Sequence, residues 1–283
     1  MSSPLTSPQG SRVTAESLVR EVDEYFASGA EVLPGQTVVD VGANIGAFAL
    51  KVAELCKGDV RILCFEPAPA TFSALQTNFG QVERLKQTRH QLFPLGLSSP
   101  EYAGKTLNFY SFSRFETNST FDVAGKRREF EIFFEDRAHR LTVQLGPVAS
   151  VGRALERFLT SAVWRTSIWW VMRQVMGLEV VQAQVATLGE MLRREDVQRV
   201  DLLKIDVEGA ELDVLLGLDA ETWPRVQQVV METHNRDGRQ DKIARLLTDH
   251  GLSHIDLLQQ KAVDNGLESV IITARRSVPT ERG

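Results

Sequence analysis

The sequence predicts a doubly wound α/β fold built on a mostly parallel β-sheet. Short runs rich in β-branched residues alternate with segments of helical periodicity, and the runs are apolar almost throughout rather than at every second position. Residues 37–41 and 61–65 are two such runs, and residues 45–55 between them have helical spacing. Continuous apolar strands are typical of a parallel sheet covered on both faces. Their alternation with helices predicts right-handed crossovers.

This alternation gives seven predicted strands in total. The remaining five runs fall at about residues 91–97, 201–207, 227–232, 253–258 and 270–274. Helices are expected from Thr14 and at residues 69–79, 210–216 and 240–250. The turn-forming residues 264–266 separate the last two runs, so the sheet is expected to close with a hairpin and an antiparallel C-terminal strand.

One domain is expected over residues 14–283, after a disordered N-terminus at residues 1–13. Residues 99–188 interrupt the alternation with strand-like pieces at 106–112 and 130–134 and then two helical segments. This stretch is too long for one crossover. Ligands of such sheets bind beyond the carboxyl ends of the strands, so we expect a mixed insertion that serves as a substrate lid.

The composition is that of an ordinary globular protein. Of 283 residues, 43% are hydrophobic and 24% are charged, and the formal net charge is −5. The charges are spread along the chain, which argues against nucleic acid as a partner. Cys56 and Cys64 lack the spacing of a zinc site or disulfide framework. No secretory leader and no apolar stretch of about 20 residues is evident, which predicts a cytoplasmic location without a membrane span.

A glycine turn between the first strand and the next helix is the first candidate site. Gly42 and Gly46 allow backbone conformations that other residues avoid, and backbone N–H groups face a ligand at such a helix N-terminus. Dinucleotide-binding turns carry three glycines, and this chain has Asn44 where the second of them would stand, so its side chain would crowd a pyrophosphate. Asp40 before the turn would instead favour a cationic ligand.

A carboxylate at the end of the second strand strengthens this interpretation. Glu66, followed by Pro67, stands where an acidic residue accepts hydrogen bonds from the ribose hydroxyls of a nucleotide-type cofactor. S-adenosylmethionine has a ribose and a cationic sulfonium but no pyrophosphate. The turn and Glu66 together therefore favour a methyltransferase that uses this donor.

Four motifs in a fixed order resemble the FkbM family of methyltransferases. They are residues 40–46 (DVGANIG), 65–67 (FEP), 204–211 (KIDVEGAE) and 231–234 (METH), with further matches at Asn78 and residues 96–98. The resemblance covers about residues 36–112 and 185–275. It implies a class I methyltransferase (Rossmann-like) fold, S-adenosylmethionine as the methyl donor and usually a hydroxyl oxygen as the acceptor.

The resemblance also implies a set of residues that bind the donor. These are Asp40, Gly42, Asn44, Gly46, Glu66, Pro67, Leu97, Asp206 and Glu208. Family members act on polyketides, sugars, peptides and lipids, so the family alone does not define the acceptor. Between about residues 127 and 179 this chain has a long aromatic insertion that departs from the commoner members.

Three residues beyond the strand ends are candidates for catalysis. An aliphatic hydroxyl is a poor nucleophile until its proton leaves, and a base in reach accelerates the reaction by about 10²- to 10⁴-fold. His234 is the preferred base because its ordinary pKa of about 6.5 leaves it largely neutral near pH 7. Asp206 is an alternative base, or binds a divalent ion with Glu232 and His234, or orients the donor. The alternative for His234 is that it only caps a strand or bonds a neighbouring carboxylate.

The insertion supplies the candidate substrate residues. Trp169 and Trp170 widen an apolar helical face, which either packs on the core, lines a pocket for a large apolar acceptor, or forms a homodimer contact. Asn118 and Ser119 align with a small polar turn of the family that lies near the cofactor or acceptor.

These observations favour an O-methyltransferase that acts on a hydroxyl group of a secondary metabolite, of polyketide, peptide or sugar type, free or bound to a carrier. Two alternatives stay open. One is an N-methyltransferase of an amine-bearing metabolite, and the other is a non-catalytic domain that binds S-adenosylmethionine. The acids at positions 40, 66, 206 and 232 argue against the second alternative, because a site without activity need not keep them.

Overall fold

The fold is given by a computed structural model that describes residues 5–11, 14–113, 119–122, 125, 127–128, 170, 172–174, 176–234, 238–259 and 269–277. Its strands are β1 (Thr37–Val41), β2 (Arg61–Phe65), β3 (Arg89–Phe93), β4 (Leu95–Leu97), β5 (Thr106–Phe112), β6 (Leu178–Ala186), β7 (Leu202–Ile205), β8 (Gln228–His234), β9 (His254–Gln259) and β10 (Ser269–Arg275). Its helices are α1 (Ala15–Ala27), α2 (Ala47–Leu55), α3 (Pro69–Gln81), α4 (Glu83–Lys86), α5 (Leu188–Arg194), α6 (Glu211–Leu216) and α7 (Arg239–Asp249), with 3₁₀ turns at Pro100–Tyr102 and Trp223–Arg225.

Seven strands form the central sheet in the order β3-β2-β1-β7-β8-β10-β9. The first five in this order run parallel, whereas β10 is antiparallel to both of its neighbours. This confirms the predicted doubly wound, mostly parallel sheet with an antiparallel C-terminal strand. Strand order reverses between β1 and β7, and in open α/β sheets the ligand crevice lies at such a point, outside the carboxyl ends of the strands.

Both faces of the central sheet are buried, as the continuous apolar strands predict. Val38 and Ile62 belong to one apolar cluster, with α1 to α4, and their neighbours Val39 and Leu63 belong to another on the opposite face. All four side chains are fully buried, and each contributes about 1.5–3 kcal/mol by leaving water. The two layers hold the ends of β1, β2 and β7 rigidly.

A second sheet of three strands, in the order β4-β6-β5, stands beside the first. The sequence predicted one strand over residues 91–97, and this is wrong: β3 ends at Phe93 in the central sheet and β4 begins at Leu95 in the second one. Pro94 between them has no N–H to donate to a ladder, so the chain changes sheets there. The predicted strand at 106–112 is confirmed as β5, and residues 130–134 lie outside the described part of the chain.

The N-terminal segment packs against this frame. Thr14 caps α1 by accepting a hydrogen bond from the Ser17 N–H, and Phe26 stacks on Phe48 of α2 with ring centroids 5.7 Å apart. Leu5 is buried, and the Thr6 N–H donates to Asn78 of α3. The domain limits stay a prediction. Among the described helices, none has the length and apolar content needed to cross a membrane.

Candidate active site

A cleft lies at the carboxyl ends of β1, β2 and β7. It encloses about 850 Å³, including its open mouth. Its walls come from the glycine turn after β1, the residues after β2 and β7, one face of α1, and the second sheet with the segment at 119–121. The cleft therefore lies at the point where the strand order reverses, which is where the sequence predicted a donor site.

The glycine turn is shaped by contact with the end of β7. Gly42 has a φ of +75°, and a Cβ placed on it would lie 1.8 Å from the backbone oxygen of Asp206. A side chain at position 42 is therefore excluded by the backbone of the neighbouring strand. The N–H groups of Gly42 and Ala43 both donate to the Phe65 carbonyl, which fixes the turn to the end of β2.

Glu66 is held at the cleft by two backbone N–H groups. Its Oε2 accepts from the Asn44 N–H at 3.0 Å and its Oε1 from the Ala68 N–H at 2.9 Å. Burial raises the pKa of Glu66 to about 7, although both N–H groups favour the ionised form. Each carboxylate oxygen keeps a lone pair, so the side chain is positioned to accept two further hydrogen bonds from a ligand in the cleft.

A buried ion-pair network lies beneath the turn. The Lys204 ammonium is 3.2 Å from Asp40 Oδ1 and 3.6 Å from Asp206 Oδ2, and it donates to the Gly42 carbonyl at 2.7 Å. Burial alone would lower the pKa of Lys204, but the two carboxylates raise it above its ordinary value, so the amine stays charged. Lys204 therefore ties the glycine turn to the residue that follows β7.

Helix α1 forms the roof of the cleft. Leu18, Glu21, Val22 and Tyr25 face inward, and the Tyr25 hydroxyl donates to Asp206 Oδ2 at 3.1 Å. Carboxylate oxygens of Glu21, Asp206 and Glu232 lie within 4.8 Å of one another. Three acidic residues from three different elements thus converge at one end of the cleft.

The opposite wall is apolar and comes from the second sheet. The rings of Phe109 and Phe121 meet with centroids 4.8 Å apart, and Leu95 and Leu97 lie beside them. The Thr120 hydroxyl donates to the Glu208 carbonyl at 2.7 Å and so docks this wall onto the loop after β7. The cleft therefore has an apolar side and an acidic end.

Most of the sequence-predicted site residues that are described come together at this cleft. Those that line it are Gly42, Asn44, Glu66, Pro67, Leu97, Ser119, Asp206 and Glu208. Asp40 is fully buried beneath them beside Lys204, and Glu232 stands next to Glu21 and Asp206.

Two predicted residues are not brought to the cleft. Gly46 faces α3, where an added Cβ would lie 3.0 Å from Leu75 Cδ1, and the side chain of Trp170 is 66% exposed on the surface. Asn118 and Trp169 lie outside the described residues, as does the side chain of His234 at the end of β8. Their proposed roles stay predictions.

Glu21 and Tyr25 also line the cleft, and neither is among the residues predicted from the sequence. Both belong to the inward face of α1, where residues 18, 21, 22 and 25 recur at helical spacing. A glutamate inside an otherwise apolar stripe is the signal that was available, because carboxylates on a core-facing stripe are rare without a specific role. The phenylalanines of the opposite wall had no comparable signal.

A doubly wound sheet with this turn and a carboxylate after β2 is the form of a class I methyltransferase that uses S-adenosylmethionine. A family model described as the methyltransferase FkbM domain matches residues 40–259. The chain belongs to the FkbM methyltransferase family.

Named relatives agree with this assignment. The chain is 31% identical to the 31-O-demethyl-FK506 methyltransferase FkbM of Streptomyces tacrolimicus, over 93% of this chain and 90% of that protein. It is 30% identical to the methyltransferase sdnD of Sordaria araneosa, over 94% and 92% of the two chains. Among solved structures, a precorrin-6y C5,15-methyltransferase from Geobacter metallireducens covers 97% of this chain and 95% of its own, with a TM-score of 0.44 at 11% identity.

Proposed function

We propose that this protein transfers a methyl group from S-adenosylmethionine to a hydroxyl oxygen of a secondary metabolite. The observation that carries the proposal is the fixed Glu66 carboxylate beside the turn at Gly42. It is 7% exposed, and two backbone N–H groups hold it in one orientation. A carboxylate fixed in this way suits the paired hydroxyls of a ribose.

The residues of the cleft fit the donor in charge as well as in shape. S-adenosylmethionine, when bound, supplies a methyl group on a cationic sulfur. Glu21, Asp206 and Glu208 line the cleft near the turn, and Lys204 is the one cationic side chain among its described lining residues. Because Lys204 already pairs with Asp40 and Asp206, carboxylates remain in excess and favour a cationic ligand.

Alignment of the acceptor and exclusion of water are the main tasks of such an enzyme. In this proposal Glu66 and the Gly42 turn bind the adenosine end, together with Asn44, Pro67 and Leu97. The acceptor oxygen lies near the ends of β7 and β8, where Asp206, Glu232 and His234 were predicted to act. The roof formed by α1 keeps bulk water from this end of the cleft.

The apolar wall supports an acceptor with a hydrocarbon or aromatic surface. Phe109, Phe121 and Leu95 offer such a surface a dry contact, as is usual in small-molecule sites. The name of one relative supports the class of acceptor, since that relative is a 31-O-demethyl-FK506 methyltransferase. A free or carrier-bound polyketide, peptide or sugar with a hydroxyl group fits this proposal.

An N-methyltransferase is the second candidate. The acidic end of the cleft, formed by Glu21, Asp206 and Glu232, would attract a protonated amine. An amine needs to lose its proton before it can accept a methyl group, and the same carboxylates would take that proton.

Two measurements test the proposed function. Calorimetric titration of the protein with S-adenosylhomocysteine is expected to show binding, and NADH is expected not to compete. Incubation with methyl-labelled S-adenosylmethionine and a panel of hydroxylated and amine-bearing metabolites is then expected to label a hydroxyl oxygen. Labelled product on nitrogen would replace the first candidate by the second, and the absence of any donor binding would reject both.

A further inference from the structure

The roof helix contributes a side chain that the proposed reaction needs and that neither the motifs nor the family assignment supplied. We propose that Glu21 is the proton acceptor of the methyl transfer, so that α1 is part of the catalytic machinery. This inference rests on the proposed function, because it assigns a role within the same cleft.

Glu21 lies where a proton acceptor has to be. Its carboxylate lines the cleft, on the same face of α1 as Leu18 and Val22, and an oxygen of it lies within 4.8 Å of oxygens of Asp206 and Glu232. The acceptor oxygen is expected at this end of the cleft, since the carboxyl ends of β7 and β8 meet there.

The position of α1 is fixed by contacts on both sides of Glu21. The Tyr25 ring meets Phe48 edge-on with centroids 6.1 Å apart, and Lys51 of α2 pairs with Asp23 at 2.6 Å. Tyr25 is 1% exposed and bonds Asp206 one helical turn after Glu21. Glu21 is therefore carried by an anchored element rather than by a mobile surface helix.

Asp206 is less suited to the same task because a hydrogen bond and an ion pair already engage it. The Tyr25 hydroxyl bonds its Oδ2, and the Lys204 ammonium lies 3.6 Å from the same atom. The Asp206 carboxylate is therefore held between a hydroxyl and an ammonium group, and one of its oxygens is already engaged by both. Within the described part of the chain, the Glu21 carboxylate has neither a hydrogen bond from a hydroxyl nor an ion pair with an ammonium group such as Asp206 has.

The electrostatic surroundings prepare Glu21 to exchange a proton near neutral pH. Burial raises its pKa to about 8, and the negative charges of Asp206, Glu232 and Glu208 add to this effect while Lys204 opposes it. A base works best when its pKa is close to the working pH. A cation bound in the cleft would lower the pKa of Glu21 and leave the carboxylate ionised.

The proton balance of the step follows from this arrangement. As the acceptor oxygen forms its bond to the methyl carbon, its O–H bond breaks and the proton passes to the Glu21 carboxylate. The electron pair of the carbon–sulfur bond stays on sulfur, so the cationic sulfonium becomes a neutral thioether. The loss of the positive charge raises the pKa of Glu21 again, which favours retention of the proton until product leaves.

The first test needs no acceptor, because the two forms of the cofactor differ in charge. Calorimetry in two buffers of different ionisation enthalpy at pH 7.5 gives the number of protons released on binding. The wild-type protein is expected to release roughly half a proton to one proton more with S-adenosylmethionine than with S-adenosylhomocysteine. Glu21→Gln is expected to lose this difference. Glu24→Gln, the same change on the exposed side of α1, is expected to keep it.

A second measurement on the unchanged protein covers the case in which Glu21→Gln fails to fold. The affinity for S-adenosylmethionine divided by the affinity for S-adenosylhomocysteine is expected to rise several-fold between pH 6.5 and 9, because Glu21 ionises over this range. Equal proton release for both ligands, a ratio that does not change with pH, or a difference kept in Glu21→Gln would overturn the proposal. Failure of the wild-type protein to bind either ligand would instead reject the proposed function.

The final test measures turnover with an acceptor identified from the panel of metabolites. Glu21→Gln is expected to lower kcat by about 10²- to 10⁴-fold. Its affinity for S-adenosylhomocysteine is expected to stay within about threefold of wild type, because glutamine has nearly the same size as glutamate and only the charge is lost. A kcat within threefold of wild type would show that another group takes the proton.

Discussion

The Tyr25 hydroxyl donates a hydrogen bond of 3.1 Å to Asp206 Oδ2, and this bond joins the N-terminal helix to the residue after the central strand β7. The two residues are 181 positions apart in the chain. Because Asp206 also lies beside Lys204, the bond connects α1 to the network beneath the glycine turn. The site is thus completed by a segment that precedes every sequence motif of the family.

Removal of this bond is expected to loosen the roof. Tyr25→Phe leaves the buried ring in place but deprives the Asp206 carboxylate of a donor, which costs about 1–3 kcal/mol in the free energy of unfolding. Urea denaturation measures this loss. Tyr102→Phe is the control, because the Tyr102 hydroxyl bonds Glu101 at the protein surface, and it is expected to change little. Equal effects of the two changes would argue against a structural role for the Tyr25 bond.

A methyl group at position 42 is expected to disrupt the donor turn. In Gly42→Ala the new Cβ meets the Asp206 carbonyl oxygen in a backbone that already has a positive φ. We expect a loss of about 3 kcal/mol or more in stability and no detectable binding of S-adenosylhomocysteine. Gly104→Ala separates the two causes, since Gly104 has a φ of +73° but no atom within 4 Å of the added Cβ. Its expected cost is about 1–2 kcal/mol, with unchanged binding.

Glu66 is expected to contribute strongly to donor affinity. Glu66→Ala removes a fixed carboxylate, and each hydrogen bond to a charged group contributes about 1.5–3 kcal/mol, so affinity for S-adenosylhomocysteine should fall at least tenfold and up to several hundredfold. Calorimetric titration measures the change. Glu54→Ala, on the exposed side of α2, serves as the control and should bind normally. Wild-type affinity in Glu66→Ala would rule out the ribose assignment.

Loss of the Lys204 ammonium is expected to be more harmful than loss of the whole ion pair. Lys204→Met leaves the fully buried Asp40 without its partner, and a change of this kind costs about 3–5 kcal/mol. The double variant Asp40→Asn and Lys204→Met removes both charges and should recover part of that loss. Thermal unfolding of the three proteins gives the comparison. If the double variant were the least stable, Asp40 would not depend on Lys204 for its charge.

Stability is expected to fall as the pH rises from about 5 to 8. Burial raises the pKa of Glu21 to about 8 and that of Glu66 to about 7, so between the ordinary pKa of a glutamate and these values the folded state holds protons that the unfolded chain has released. This contribution to stability is complete below about pH 4.5 and is lost as the pH rises through the folded pKa values. Glu21→Gln should reduce the loss by about 1–3 kcal/mol in urea unfolding across that range. Parallel curves for variant and wild type would contradict the raised pKa.

Sequence reasoning located the strands because burial on both faces leaves a continuous apolar pattern. Val38 and Val39 face opposite layers, and both are apolar because both layers are dry. The break at Pro94 was missed because residues 91–97 are apolar on both sides of it, and only the absent N–H of proline separates β3 from β4. Periodicity reports burial and does not say which sheet a strand joins.

The two halves of the site differed in how far the sequence could define them. Gly42 and Glu66 belong to a local pattern of strand, turn and acid, in which backbone geometry fixes the spacing. Glu21 and Tyr25 reach the cleft only because α1 packs on α2, a tertiary contact that leaves no spacing signal relative to the motifs. The apolar wall of Phe109 and Phe121 depends in the same way on the pairing of distant strands.

The pairing of β5 with β6 places Phe112 opposite Leu178. The Ser113 N–H donates to the Gly177 carbonyl at 3.1 Å, so the two ends of the intervening residues 113–177 lie side by side. Residues 119–121 of this segment return to the cleft, where Thr120 pairs with Tyr110 and Phe121 lines the wall. Because the two ends of the segment are neighbours, a segment of another length can replace it without moving β5 or β6. Chimaeras cut at these two positions would exchange the contacts of Thr120 and Phe121 together with the rest of the segment, while the Gly42 turn and Glu66 keep their own sequence.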